Sequence, residues 1–177
     1  MCSPYCLPYA AISSNEQSRI NQGDDGRVRT TQVDARRDYE ETRRLALHLT
    51  ALDPGNTQWQ RDLSVSYNKL GDVAVAQGKL DEAARAYGDG LAIRKKLAAV
   101  DPGNTQWQRA LFYSLFQISR LDAEQKHWPD AIGNAEASLK IAEQLSQLDR
   151  SNVTWQEDVK AGRAWLEQLR RQAGSTR

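Results

Sequence analysis

The sequence predicts an all-α chain of stacked antiparallel helical hairpins, a short right-handed α-solenoid. Two observations carry this. The segment DPGNTQWQR occurs at Asp53–Arg61 and again at Asp101–Arg109, which sets a repeat period of about 48 residues. A weaker copy lies one period further on, where Asp149, Asn152, Trp155, Gln156 and Asp158 echo Asp53, Asn56, Trp59, Gln60 and Asp62. A fixed period of this order marks a stacked array of one supersecondary unit. Within each unit, apolar residues recur at steps of three and four, the spacing of a helix face.

Residues 1–31 read as an irregular or weakly helical leader. They hold Pro4, Pro8, Gly23 and Gly26 among many polar residues, and Ala10–Ile20 forms at most a short, weak helix. Residues 32–173 form the repeat domain, with units breaking near 53, 101 and 149, and 174–177 form a flexible tail. Val33–Leu52 matches a second helix, because Ala35 and Tyr39 fall on Ala83 and Tyr87 one period later.

The best unit is Asn56–Asp101. Trp59, Leu63, Tyr67, Leu70 and Val73/Ala74 make the apolar stripe of a first helix. Gly78 ends it, since glycine takes the left-handed geometry of a C-terminal cap. Leu80, Ala83, Ala84, Tyr87, Leu91, Leu97 and Val100 then stripe a second helix. Asp81 and Glu82 suit its positive N-terminal end. Asp101-Pro102-Gly103-Asn104 stops it, and Asn104 or Thr105 caps the next helix.

The second unit repeats this with helices over about Thr105–Lys126 and Pro129–Leu148, with Pro129 at a helix start where its missing N–H costs little. The third unit supplies one helix, about Val153–Gln172. The units give five helices of about 20 residues, each about 30 Å long. Short connections between long antiparallel helices mean stacked hairpins. Trp59, Trp107 and Trp155, near the start of each first helix, read as packing anchors that bury a large area.

Composition excludes several functions. The formal net charge is +1, from 24 basic and 23 acidic residues. Such balance supplies no global field to draw in nucleic acid or membrane. The basic stretch Val159–Arg177 is explained by the preference for cations at helix C-termini. No run approaches the ~18 apolar residues of a membrane span, and no secretory signal is visible, so the expected compartment is the cytoplasm. Cys2 and Cys6 fall in the leader with no histidine close by, which is a poor zinc site.

No catalytic constellation can be assembled. His48 and His127 lack sequence neighbours that suggest a nucleophile or a metal. Walker-type and dinucleotide-type glycine loops are absent. Asp24-Asp25-Gly26 lacks the other positions of a calcium loop. Paired acids such as Glu40-Glu41 and Asp81-Glu82 read as solvated helix surface. The expectation is a protein that is not an enzyme and needs no cofactor or metal.

Tyr67-x-x-Leu70-Gly71, followed by Ala83 and Tyr87, resembles the tetratricopeptide repeat (TPR). The resemblance covers about Val33–Gln172. The usual period of that family is about 34 residues. The longer unit here looks like the long-helix repeats of bacterial multi-repeat proteins and, distantly, the kinesin-light-chain group. In such repeats Gly71 lets the two helices approach closely, and Ala83, with its counterpart Ala131, sits at their crossing. The second unit departs from the pattern: Ser119 replaces Gly71, Leu115 replaces Tyr67 and Ala135 replaces Tyr87.

The resemblance implies binding of a protein or peptide partner in a groove lined by the first helices. The matching positions are Val65, Asn68, Asp72 and Val75, then Tyr113, Phe116, Arg120 and Ala123, then Ala161, Ala164 and Gln168. Exposed aromatics on one helix are binding anchors, so Tyr113 and Phe116 stand out. The competing reading is that Phe112, Tyr113 and Phe116 fill an irregular stack. A second functional expectation is structural: a homodimer through open array ends, with Trp165, Leu166 and Leu169 either uncovered or folded onto the preceding hairpin. RNA reading by helical repeats fits poorly with the charge balance.

Overall fold

The computed structural model describes residues 25–175. Contacts divide the chain after Arg37, and the unit from Asp38 onward holds the repeats. Among the described residues there are six helices: α1 (Asp25–Leu52), α2 (Thr57–Ala76), α3 (Leu80–Val100), α4 (Thr105–Glu124), α5 (Trp128–Leu148) and α6 (Val153–Ser175). The protein is an all-α helical repeat. Successive helices from α2 to α6 each pack on the next.

Helix α1 begins at Asp25, not near Val33, so residues 25–31 of the expected leader are helical. The expectation rested on apolar periodicity, which this stretch lacks. The expected weak helix at Ala10–Ile20 and the pair Cys2 and Cys6 lie outside the described residues.

The repeated segment is a turn and a cap in one. Asp53, Asp101 and Asp149 each accept, through Oδ1, the amide two residues on, at Gly55, Gly103 and Ser151 (3.0, 3.1 and 2.9 Å). Three residues after each aspartate, Asn56, Asn104 and Asn152 accept the amides of Trp59, Trp107 and Trp155 (3.1, 3.1 and 3.2 Å). Asparagine thus satisfies an amide that the first helical turn leaves orphaned. Of the two candidates before α4, Asn104 is the cap.

Within each hairpin, a left-handed residue closes the first helix. Gly78 has φ +70°. Its amide reaches the Val75 carbonyl (2.9 Å) and that of Lys79 reaches Ala74 (2.9 Å). This pair of reversed bonds is the Schellman arrangement. One repeat later Lys126, φ 62°, does the same, with bonds to Ala123 and, from His127, to Asp122.

Helices α2 and α3 approach closely at two glycines. A Cβ on Gly71 would overlap the Tyr87 ring, and one on Gly90 would come within 2.5 Å of the Asn68 amide. Tyr87 is buried there and donates its hydroxyl to Asp72 (2.8 Å). The second unit solves the same crossing with different volumes. Ser119 and Ala135 are both fully covered, Ser119 Oγ donates to the Ala131 carbonyl (2.7 Å), and Trp165 Nε1 donates to Ser119 Oγ (2.8 Å). Tryptophan from the following unit therefore occupies room that the missing tyrosine leaves.

The last helix covers its own apolar side. Leu166 and Leu169 are buried with Ala131 and Ala135, and Trp165 is half-buried against the same cluster. This is the folded-back arrangement of the two considered from sequence.

Candidate protein-interaction surface

The first helices of the units are α2, α4 and α6, and side chains tie them side by side. Gln117 Nε2 on α4 reaches Asp72 Oδ1 on α2 (3.5 Å). Arg109 on α4 holds Asp158 on α6 through Nε–Oδ2 (2.8 Å) and Nη2–Oδ1 (3.4 Å). The Arg109–Asp158 pair is half to mostly buried, so two parallel bonds fix the spacing of these helices.

Buried polar contacts join α2 to α4 through α3. Arg94, 8% exposed, donates Nη1 to Ser114 Oγ (2.7 Å) and to the Ala110 carbonyl (3.1 Å), and Nε to Ser64 Oγ (3.3 Å). Asn68, with its amide nitrogen turned to the Ser64 carbonyl, accepts from the same guanidinium (3.2 Å). These acceptors are all uncharged. Burial pulls the Arg94 pKa down to about 10, with the nearby Asp72 charge acting the other way. The group stays protonated at neutral pH.

Three repeat-equivalent positions on the first helices point outward. Val65 is 37% exposed, Tyr113 is 42% exposed, and Ala161 is exposed. Arg109 steadies Tyr113 from one turn away: its guanidinium carbon lies 4.9 Å from the ring centroid and Nη2 donates to the hydroxyl (2.8 Å). The same arginine therefore aligns two helices and orients the exposed tyrosine.

The other expected groove residues divide. Asn68 is turned inward to Arg94. Asp72 accepts from Tyr87, Gln117 and Lys69 (3.4 Å) and is half-buried. Both are occupied with holding the stack. Phe116 is half-buried, its ring 6.0 Å from Phe112 and 6.2 Å from Trp165. Phe112 is core. Arg120, Ala164 and Gln168 are exposed, while Val75 and Ala123 are half-buried. Of Phe112, Phe116 and Tyr113 on α4, then, one fills the core, one bridges and one faces solvent. Trp59, Trp107 and Trp155 are half-buried, as are Tyr67 and Leu70, whereas Gly71, Ala83, Tyr87 and Ala131 are buried.

Sequence reading missed Arg109 and Asp158 as a pair. The available signal was spacing: they lie 49 residues apart. That is one period plus one, which sets them at nearly the same height on adjacent first helices. It also missed Arg94, because a basic residue on a charged helix reads as solvated surface.

His48 and His127 are exposed. No group of three His, Cys, Asp or Glu side chains among the described residues is placed to hold a metal ion. No described helix is long and apolar enough to cross a membrane. A scan against protein-family models matches none. A search of curated proteins also finds no match for the chain.

Proposed function

We propose that the chain is a non-catalytic interaction scaffold of the tetratricopeptide kind, holding a peptide, helix or protein domain against the outward side of α2, α4 and α6. The observation that carries this reading is Tyr113. It is a large aromatic left exposed on a helix whose other aromatics are buried or half-buried, and it is held in one orientation by Arg109. A rigid aromatic with a polar tip contributes contact area at little cost in ordering. Arg120, two turns along α4, adds an exposed cation to the same helix.

Supporting features are the resemblance of Tyr67, Leu70, Gly71, Ala83 and Tyr87 to the tetratricopeptide pattern, and the close approach of α2 and α3 at Gly71. The bonds between neighbouring first helices favour a preformed surface over one ordered by its ligand.

The test is a peptide-display library panned on the full chain. Selected peptides are titrated against the wild type and Tyr113→Ala. A loss of about tenfold or more in affinity, at unchanged melting temperature, is expected of an exposed anchor. Equal affinity for the variant would remove this surface from the reading.

A further inference from the structure

Arg94 is a buried cation that the repeat does not need. Its equivalents one period back and one period on are Ala46 and Ala142, and both are buried. The stack therefore packs at this position without charge. Each acceptor that Arg94 meets is neutral: Ser64 Oγ, Ser114 Oγ, the Ala110 carbonyl and the Asn68 amide oxygen. A buried charge ordinarily has an opposite charge bonded to it, because its desolvation is otherwise uncompensated.

One edge of the guanidinium is left open. Nε and Nη1 make all of these bonds, and Nη2 makes none. Among the described residues the only fully covered side-chain nitrogen without a partner is Arg43 Nε. Arg94 Nη2 therefore reaches solvent from a side chain that is 8% exposed. The group lies between α2 and α4, since Ser64 and Asn68 belong to one helix and Ala110 and Ser114 to the other. Helix α3, which carries Arg94, closes one side of that seam. Val65 and Tyr113, the chain neighbours of the two serines, are the exposed residues on the other.

We propose that Arg94 Nη2 is a seat for one carboxylate, the side chain of an aspartate or glutamate in a partner peptide whose apolar part covers Val65 and Tyr113. The inference rests on the reading of that surface as the partner's. A carboxylate supplies the opposite charge that the seam lacks, through a charge-assisted hydrogen bond at a site with little water. The bond is a single-point one, because Nε and Nη1 are already engaged. Neighbouring charges limit the guest: Arg61 and Asp72 both act on the group through space, with opposite sign. Arg61 favours an anion and Asp72 repels it, so a carboxylate with one charge fits better than a phosphate with nearly two. The seat gives selectivity, since a peptide with an amide in place of the acid brings no compensating charge.

The decisive test changes the ligand, which leaves the fold of the chain alone. Peptides selected from a display library on the full chain are resynthesised with each aspartate replaced by asparagine, or each glutamate by glutamine. At one acidic position the exchange should lower affinity for the wild type about tenfold or more. It should make no difference on Arg94→Gln, titrated below that variant's own melting temperature. Peptides that need Tyr113 but are indifferent to the exchange, or that lose as much on Arg94→Gln, would overturn the seat and leave the interaction surface in place. Peptides indifferent to both Tyr113→Ala and Arg94→Gln would remove the surface and the seat together. Sodium acetate probes the seat without a peptide. Titrated into the nitrogen-labelled chain at constant ionic strength, it should progressively shift the Arg94 Nε–H resonance, identified by its loss in Arg94→Gln, and acetamide should not. A resonance that acetate leaves unmoved would overturn the seat, even where the library yields no peptide.

Discussion

Arg94 and Ala142 stand at the same place in successive repeats, and both are buried. Around Arg94 the seam is polar: Ser64, Asn68 and Ser114 surround a guanidinium with no carboxylate among its hydrogen-bond partners. One period later the equivalents of Ser64, Arg94 and Ser114 are Phe112, Ala142 and Gly162, and Phe112 packs with Ala142 and Val159 in an apolar cluster. The same backbone arrangement is thus sealed once by hydrogen bonds and once by an aromatic ring. Arginine needs its acceptors, since an unmet buried donor carries its full desolvation cost.

Arg94→Ala should therefore cost about 2–4 kcal/mol, from lost hydrogen bonds, stranded serines and a cavity. Adding Ser64→Phe and Ser114→Gly to that variant transplants the second seam into the first. Urea unfolding should show the triple variant recovering part of the loss. A triple variant less stable than Arg94→Ala alone would mean the two seams are not interchangeable.

Lys126 performs the task of Gly78 at a conformational cost. Both have positive φ and both close a hairpin with the same pair of backbone bonds. Left-handed geometry costs a residue with a Cβ about 1 kcal/mol, and glycine escapes it. Lys126→Gly should stabilise the protein by about 0.5–1 kcal/mol. Gly78→Ala should destabilise it by about 1 kcal/mol, although an added Cβ there meets no atom within 4 Å. Thermal melts of the two variants shifting in the same direction would refute the equivalence.

What could be read in advance follows the range of each interaction. The turns, the caps and the left-handed Gly78 are set by near neighbours in the chain, so DPGN and the glycine announced them. The periodicity announced the helices from Thr57 onward. Helix α1 starts earlier than expected because residues 25–31 have no apolar stripe in the sequence to announce it. Long-range partners were not legible. Nothing near Arg94 in sequence marks it as buried, because Ser114 lies 20 residues away and Ser64 lies 30. Asn68 and Asp72 look alike from sequence whether they face a ligand or a neighbouring helix, and here they face the stack. Tyr113 and Phe112 are adjacent yet have opposite fates, which a helical period fixes only once the buried side is known.

Gly71 and Tyr87 should behave as one unit. Gly71→Ala pushes a methyl into the Tyr87 ring, and overpacking of this kind costs about 1–3 kcal/mol. Tyr87→Ala costs about 3–5 kcal/mol by leaving a cavity, and it also removes the hydroxyl bond to Asp72. Gly71→Ser with Tyr87→Ala reproduces the volumes of Ser119 and Ala135 in the next unit. In a double-mutant cycle the pair should cost at least about 1 kcal/mol less than the sum of the singles. Additive costs would show that the two volumes are not exchanged.

Asp122 supplies the pH-dependent prediction. Its pKa is raised above the usual carboxylate value, first by burial, then by the charge of Asp130, while the hydrogen bond from Asn134 (2.9 Å) and the charge of His127 oppose this. A carboxyl with a raised folded-state pKa binds its proton more readily in the folded than in the unfolded chain. Its ionised form therefore subtracts stability above that folded pKa, and the penalty lifts as pH falls through it. Asp122→Asn keeps an oxygen for Asn134 and carries no charge. The variant should be more stable than the wild type at neutral pH, and the gap should close on acidification as Asp122 takes up its proton. Urea midpoints of both proteins across that range give the check. A gap that stays constant or widens as pH falls would place the benefit of the substitution in packing and not in charge.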